Sequence, residues 1–258
     1  MSADEREQLA EGTLISHLIE LRDRLLRAVI CVGIVFLPCA YFSNELFTLV
    51  ATPLIEKMPA GTSMIATSLI SPFLAPLKLA LFVAIFISMP YVLYQAWAFV
   101  APGLYKHEKR FAVPLVVSSI VLFYCGVAFA YFVVFPLMFA FFTTSAPAGV
   151  QMMTDMQNYL DFVLLLFFAF GVAFEIPVAT VLLASTGMVS LETMGKNRGY
   201  VLLGIFVVAA FLTPPDALSQ TMMAVPMYML YEIGIILSRF LLKKRAESTA
   251  TGSEPSET

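Results

Sequence analysis

The sequence predicts an all-α integral membrane protein, with six transmembrane helices and both termini in the cytosol. Composition is the first reason: 60% of the 258 residues are apolar, 13% are charged, and the mean hydropathy is +0.87. Such values belong to membrane chains rather than soluble domains. Spacing is the second. The apolar runs are separated by short polar stretches, none long enough for a separate soluble domain. Charge is the third. Arg6, Arg22, Arg24 and Arg27 precede the first run, and Lys106, Lys109 and Arg110 lie between the second and third. Lys196 and Arg198 follow the fourth, and Arg239, Lys243, Lys244 and Arg245 follow the last, so that of the 15 Lys and Arg only Lys57 and Lys78 fall elsewhere. By the positive-inside rule these basic segments share the cytosolic face.

The elements follow in order. Residues 1–12 are acidic and read as a flexible N-terminus with no apolar core of a cleavable signal or transit peptide, so the first apolar run stays as a spanning helix. Residues 13–27 form an amphipathic helix, with Leu14, Leu18, Leu21 and Leu25 on one face and Thr13 as a cap. Span one covers about 25–42. Residues 43–75 are rich in Pro, Gly, Ser and Thr yet studded with apolar side chains, and are expected to form an ordered extracytosolic cap with short helical pieces, including 71–77. Span two is about 77–100, broken by Pro90, and span three about 112–135. An outer loop at 136–159 carries Asp155, and span four runs about 160–185. Span five, 200–212, covers only about 20 Å at 1.5 Å per residue against a ~30 Å hydrocarbon core. Span six, about 221–238, also reads as short. The membrane domain is thus a single unit over 13–244, followed by a Ser/Thr/Glu-rich tail at 245–258 that reads as disordered. Prolines within spans free backbone carbonyls that need neighbouring helices, which favours a bent, compact bundle.

Few residues carry chemistry. Cys31, Cys39 and Cys125 all lie in apolar runs and read as small core hydrophobes, and His17 and His107 are too far apart to suggest a metal site. No HExxH, phosphate-cradling glycine loop or nucleophile–base pairing is present, so no catalytic role, metal or cofactor is expected, and nothing suggests nucleic acid. Glu108 stands alone among Lys106, His107, Lys109 and Arg110, beside Trp97, Phe99 and Tyr105; on charge alone it is an incidental acid in a topogenic loop. Glu20 stands four residues before Arg24, which locally reads as a solvated helix pair. Glu175 is different. It falls inside span four, where a carboxylate costs about 2.5–3.5 kcal/mol on insertion scales and so must face protein or water. Pro177, two residues on, leaves the Ala173 carbonyl without its helical donor and opens the helix there. Glu232 in span six reads as reaching the interface. Thr213, Asp216 and Gln220 mark the outer turn between spans five and six, with Asp216 reading locally as an N-cap.

Four motifs in register resemble one family. HLIELRDRL at 17–25, FVAPGLYKHEKR at 99–110, AFGVAFEIPV at 169–178 and FLTPPDALSQ at 211–220 resemble the TatC family, the multispanning subunit of the twin-arginine protein translocase. The likeness covers roughly 13–244, with Lys109 where an arginine is often found. It implies a bent, cup-like bundle with an outer cap, acting without enzymatic chemistry as the receptor for the paired arginines of signal peptides on folded cargo. Export of that cargo is driven by the proton gradient. The recognition carboxylates would be Glu20 and Glu108, supported by Arg22 and Lys106; Glu175 would be the intramembrane acid, and Thr213 and Gln220 would dock partners. Those partners would be single-span subunits of the TatA and TatB type, in a multi-copy complex surrounded by lipid. The absence of a transit peptide points to a bacterial plasma membrane. The alternative is a proton-coupled small-solute transporter using Glu175, although no repeat between the chain's halves supports one.

Overall fold

Within lipid every backbone N–H and C=O must be paired internally, which restricts long apolar segments like these to helices. The computed structural model describes residues 3–55, 64–104, 112–144, 154–213 and 217–251. Ten α-helices lie among the described residues: α1 (Ala3–Tyr41), α2 (Ser43–Ile55), α3 (Ser71–Leu104), α4 (Ala112–Phe129), α5 (Phe135–Thr144), α6 (Met156–Ala173), α7 (Ile176–Ser185), α8 (Leu191–Lys196), α9 (Arg198–Leu212) and α10 (Ala217–Thr251). Two two-residue strands, β1 (Met64–Ile65) and β2 (Thr154–Asp155), complete them.

Among the described residues five helical stretches are long and apolar enough to cross a membrane: Ile15–Tyr41, Ser71–Phe99, Val113–Phe141, Met156–Ser185 and Ala217–Lys243. Expected span five, α9, is 15 residues long and stays short, as its sequence predicts. Span six does not: its apolar part runs 27 residues, because the helix continues smoothly through Pro226 and into the basic segment. Other boundaries also move. The amphipathic segment and span one are one helix, which begins at Ala3 inside the stretch expected to be flexible. Residues 71–77 are the first turns of α3, which passes Pro90 without a break. The third span does not end near 135. A π-helical turn, Ala130–Val134, joins α4 to α5, and the Phe135 N–H donates to the Ala130 carbonyl five residues back. Pro136 has no N–H to donate and its ring crowds the preceding turn, so a widened turn lets the helix continue. At the other end α10 reaches Thr251, into the tail expected to be disordered.

Contacts group the chain into two compact units, Met1–Ile120 with Asp155–Leu160, and Val121–Thr154 with Asp161–Thr258. In the first unit α1 lies along α3. Ala75, Ala80 and Ala84 of α3 are fully buried, and such small side chains allow close helix approach in a membrane. Cys39, Ala80 and Ala84 pack with Val35, Phe36, Leu46 and Val83. Cys39 is the only one of the three cysteines in a core; Cys31 is half-buried and Cys125 exposed.

Asp155 ties together one end of this unit. One carboxylate oxygen accepts the N–H groups of Gln157 (3.0 Å) and Asn158 (2.9 Å), capping α6. The other accepts the hydroxyl (2.6 Å) and N–H (3.1 Å) of Thr67. Beside it the buried Ser71 hydroxyl donates to Gln157 Oε1 at 3.0 Å. The Thr67 hydroxyl, followed by the N–H donors, holds the Asp155 carboxyl below the ordinary carboxylate range. The segment expected as a cap is thus tied down by one acid.

The second unit is built on aromatic and glycine contacts. Phe170 is fully buried, with Phe129 at 5.7 Å, and Phe129 also lies 5.5 Å from Phe174. Two glycines make α4 and α6 meet: a Cβ on Gly126 would strike the Phe170 carbonyl, and one on Gly171 would lie 2.5 Å from the Phe123 ring. Gly234 of α10 likewise faces Thr180 and Pro177 of α7. Ala184, Met194, Tyr231 and Ile235 close the core where α7, α8 and α10 meet.

Candidate functional site

The periodicity that puts Glu20 one turn before Arg24 also aims both at α3. Arg24 donates from Nε (2.9 Å) and Nη2 (2.7 Å), both to Glu20 Oε1. Its third nitrogen, Nη1, reaches Gln95 Oε1 on α3 at 3.3 Å. Gln95 is only 5% exposed, and the side chains of Arg24 and Glu20 are 22% and 38% exposed. The acid is therefore the outermost member of a three-residue polar chain. One turn earlier His17 stacks on Phe99 of α3, with ring centroids 4.3 Å apart and planes 21° apart. The amphipathic part of α1 and the end of α3 leading into the charged hairpin thus form one face. Glu108 and Lys106 lie outside the described residues. Arg22 is exposed and bonds to Asp23, with Nη2 and Nε at 2.8 and 3.0 Å from Oδ1.

Glu175 lies where the sequence predicts a helix break. α6 ends at Ala173, Phe174 and Glu175 form a turn, and α7 starts with Pro177 in its first turn. Both Glu175 carboxylate oxygens are buried, so the acid faces protein rather than lipid. Thr213 ends α9 in extended conformation, and its hydroxyl donates to the Ala209 carbonyl at 2.9 Å while the residue is 6% exposed. Gln220 is half-buried in the first turn of α10, next to the fully buried Ser219. Asp216 lies outside the described residues. Glu232 does not reach free into the interface. Arg198 grips it with two bonds, Nε to Oε1 at 2.7 Å and Nη2 to Oε2 at 2.8 Å, and the Tyr228 hydroxyl donates to Oε1 at 2.8 Å.

Known proteins match this arrangement over most of its length. The family model described as "Sec-independent protein translocase protein (TatC)" matches residues 16–226. A relative from Escherichia coli with that name is 57% identical over 231 residues, covering 90% of each chain. Another, from Haemophilus influenzae, is 53% identical over 244 residues and 95% of each chain. The chain belongs to the TatC family. A crystal structure of the twin arginine translocase receptor TatC, 36% identical, superposes with a TM-score of 0.79 and covers 87% of this chain and 98% of its own. A second, in the detergent DDM, gives 35% and 0.77. TatC membership makes the chain a multi-span membrane component of the Tat translocase and not an enzyme. The small-solute transporter reading finds no support in these relatives.

Two parts of this TatC chain escape sequence reasoning. Gln95 is a single amide in an apolar helix, and only the fold brings it to Arg24, 71 positions away. The Arg198–Glu232 pair joins residues 34 apart; a lone acid in span six and a basic residue at the start of span five are its only signals.

Proposed function

We propose that this chain is the twin-arginine signal-peptide receptor and core subunit of a translocase that exports folded proteins, driven by the proton gradient. The observation that carries the reading is the Glu20–Arg24 fork: a carboxylate on the α1–α3 face that already receives a guanidinium through two hydrogen bonds. Glu108 is the second acid, nine positions beyond Phe99. Each takes one arginine of the signal. A guanidinium offers a planar fork that matches a carboxylate, which the single point charge of lysine cannot reproduce. Lys106, in the same basic stretch of sequence as Glu108, and Arg22 support the two carboxylates. Glu175 serves as a buried polar contact within the membrane, and Thr213 and Gln220 at the α9–α10 turn dock partners.

The partners are single-span subunits of the TatA and TatB type, with signal-bearing precursors as cargo, in a multi-copy complex. The location is a bacterial inner membrane, with six spans, both termini cytosolic, and residues 48–70, 140–155 and 214–219 outside. Co-purification tests the reading. The chain should bring down single-span partners together with Arg-Arg precursors, and a chain that brings down neither is not such a receptor.

A further inference from the structure

We infer that Arg24 is a built-in competitor: the receptor's own guanidinium occupies Glu20 in the absence of cargo, and the signal's arginine must displace it. The inference rests on the receptor reading above and adds a resident ligand to the same site. Its basis is geometric. Both Arg24 bonds to the acid converge on one oxygen, Oε1, at 2.9 and 2.7 Å. This grips the carboxylate by one corner. A second guanidinium can reach the two-oxygen, fork-on-fork arrangement with Glu20 only after Arg24 releases Oε1.

Gln95 makes the release feasible. Its Oε1, on a side chain 5% exposed, already accepts from Arg24 Nη1. Arg24 therefore keeps a polar partner when Glu20 is taken, and no half-buried cation is left bare. The order of exposure fits an exchange: Glu20, at 38%, is reached from solvent before Arg24, at 22%. Glu20 is therefore never a bare carboxylate awaiting any cation. A guanidinium that binds through its full fork must outcompete an intramolecular arginine one helical turn away.

Competition for one carboxylate has a definite signature. Weakening the competitor helps most the ligand that needs both oxygens, so an Arg-Arg signal gains more than a Lys-Lys signal, whose ammonium can bond the oxygen that Arg24 does not hold. Arg24→Lys is the informative variant, because it retains the positive charge but loses the fork. In membranes holding the assembled translocase, synthetic signal peptides carrying Arg-Arg or Lys-Lys are titrated by cross-linking. Arg24→Lys should bind the Arg-Arg peptide about 1.5- to fivefold more tightly, the range set by i,i+4 and partly exposed pairs, and the Lys-Lys peptide with a smaller gain. In a Glu20→Ala background the same change should have no effect. Binding that is weaker or unchanged in Arg24→Lys, with the variant present at wild-type levels, overturns the competitor and makes Arg24 an orienting residue or a bystander. A gain for the Lys-Lys peptide that equals or exceeds that for the Arg-Arg peptide, or an effect that persists without Glu20, overturns it too. If the wild-type chain itself does not distinguish the two peptides, it is the receptor reading that falls.

Discussion

Gly126→Ala adds one methyl group where α4 meets α6, and the structure gives it no room. The new Cβ would overlap the Phe170 carbonyl oxygen and lie 2.9 Å from Cγ of Phe174. A helical carbonyl cannot swing aside, so the two helices must separate, by roughly 1 Å if ordinary contact is to be restored. That loosens the Phe129–Phe170 and Phe129–Phe174 ring pairs, now at 5.7 and 5.5 Å. Overpacking of this kind costs about 1–3 kcal/mol, against up to ~1 kcal/mol regained from the helix preference for alanine. Gly204→Ala is the control: nothing lies within 4 Å of a Cβ there, so only the gain applies. Thermal unfolding of the purified chain in detergent should place Gly126→Ala below wild type and Gly204→Ala at or above it. Equal melting of the two variants would refute the claim that glycine sets this crossing.

Glu175→Gln should retain more transport of an Arg-Arg precursor than Glu175→Leu, because the amide can still hydrogen-bond in the break between α6 and α7; failure of both would mean that a charge is required, and indifference to both would reduce Glu175 to packing. Asp155 carries a pH dependence of definite sign. Its carboxyl is held below the ordinary value near ~4, so its contribution is complete above that range and is lost as pH falls through the lowered value. Asp155→Asn should therefore melt below wild type at neutral pH, and the gap should close in acid; a gap independent of pH would contradict the Thr67 latch. Lengthening the 15-residue α9 by four leucines should impair transport while leaving insertion intact, since it removes the mismatch with a ~30 Å core. Normal transport in that variant would show that the shortness has no role.

Membrane class, the apolar spans and the helix break at Glu175 were legible because each follows from local chemistry: hydropathy, length, and a proline two residues past an acid. The short α9 was legible for the same reason. Its neighbour was misjudged at both ends, because 217–220 read as part of the polar turn and Arg239 as the end of the apolar run, whereas the helix runs through both. The third span was cut short at Pro136, since a π-helical turn that accommodates a proline leaves no mark in composition. Within the candidate site, the spacing of Glu20 and Arg24 was plain, but the bond that extends it to α3 was not. Residues 22 and 24 are alike in sequence, and only the packing of α1 on α3 turns Arg24 towards Gln95. Asp155 was visible as a lone acid, but its bond to Thr67 spans 88 positions and belongs to tertiary structure.

The central claim is that Glu20 and Glu108 together hold the paired arginines of the cargo signal, and one cross-linking measurement tests it directly. Membranes carrying Glu20→Ala plus Glu108→Ala are challenged with an Arg-Arg precursor, alongside each single variant and a Lys-Lys precursor. Charge-assisted hydrogen bonds contribute about 1.5–3 kcal/mol when partly desolvated and exposed ion pairs only ~0–1, so Glu108→Ala should lose about tenfold to a hundredfold in affinity. Glu20→Ala should lose less, because Arg24 already occupies that acid. The double variant should fall to the level that wild type shows with the Lys-Lys precursor. Wild-type cross-linking of the Arg-Arg precursor by the double variant, present at wild-type levels, would contradict the account.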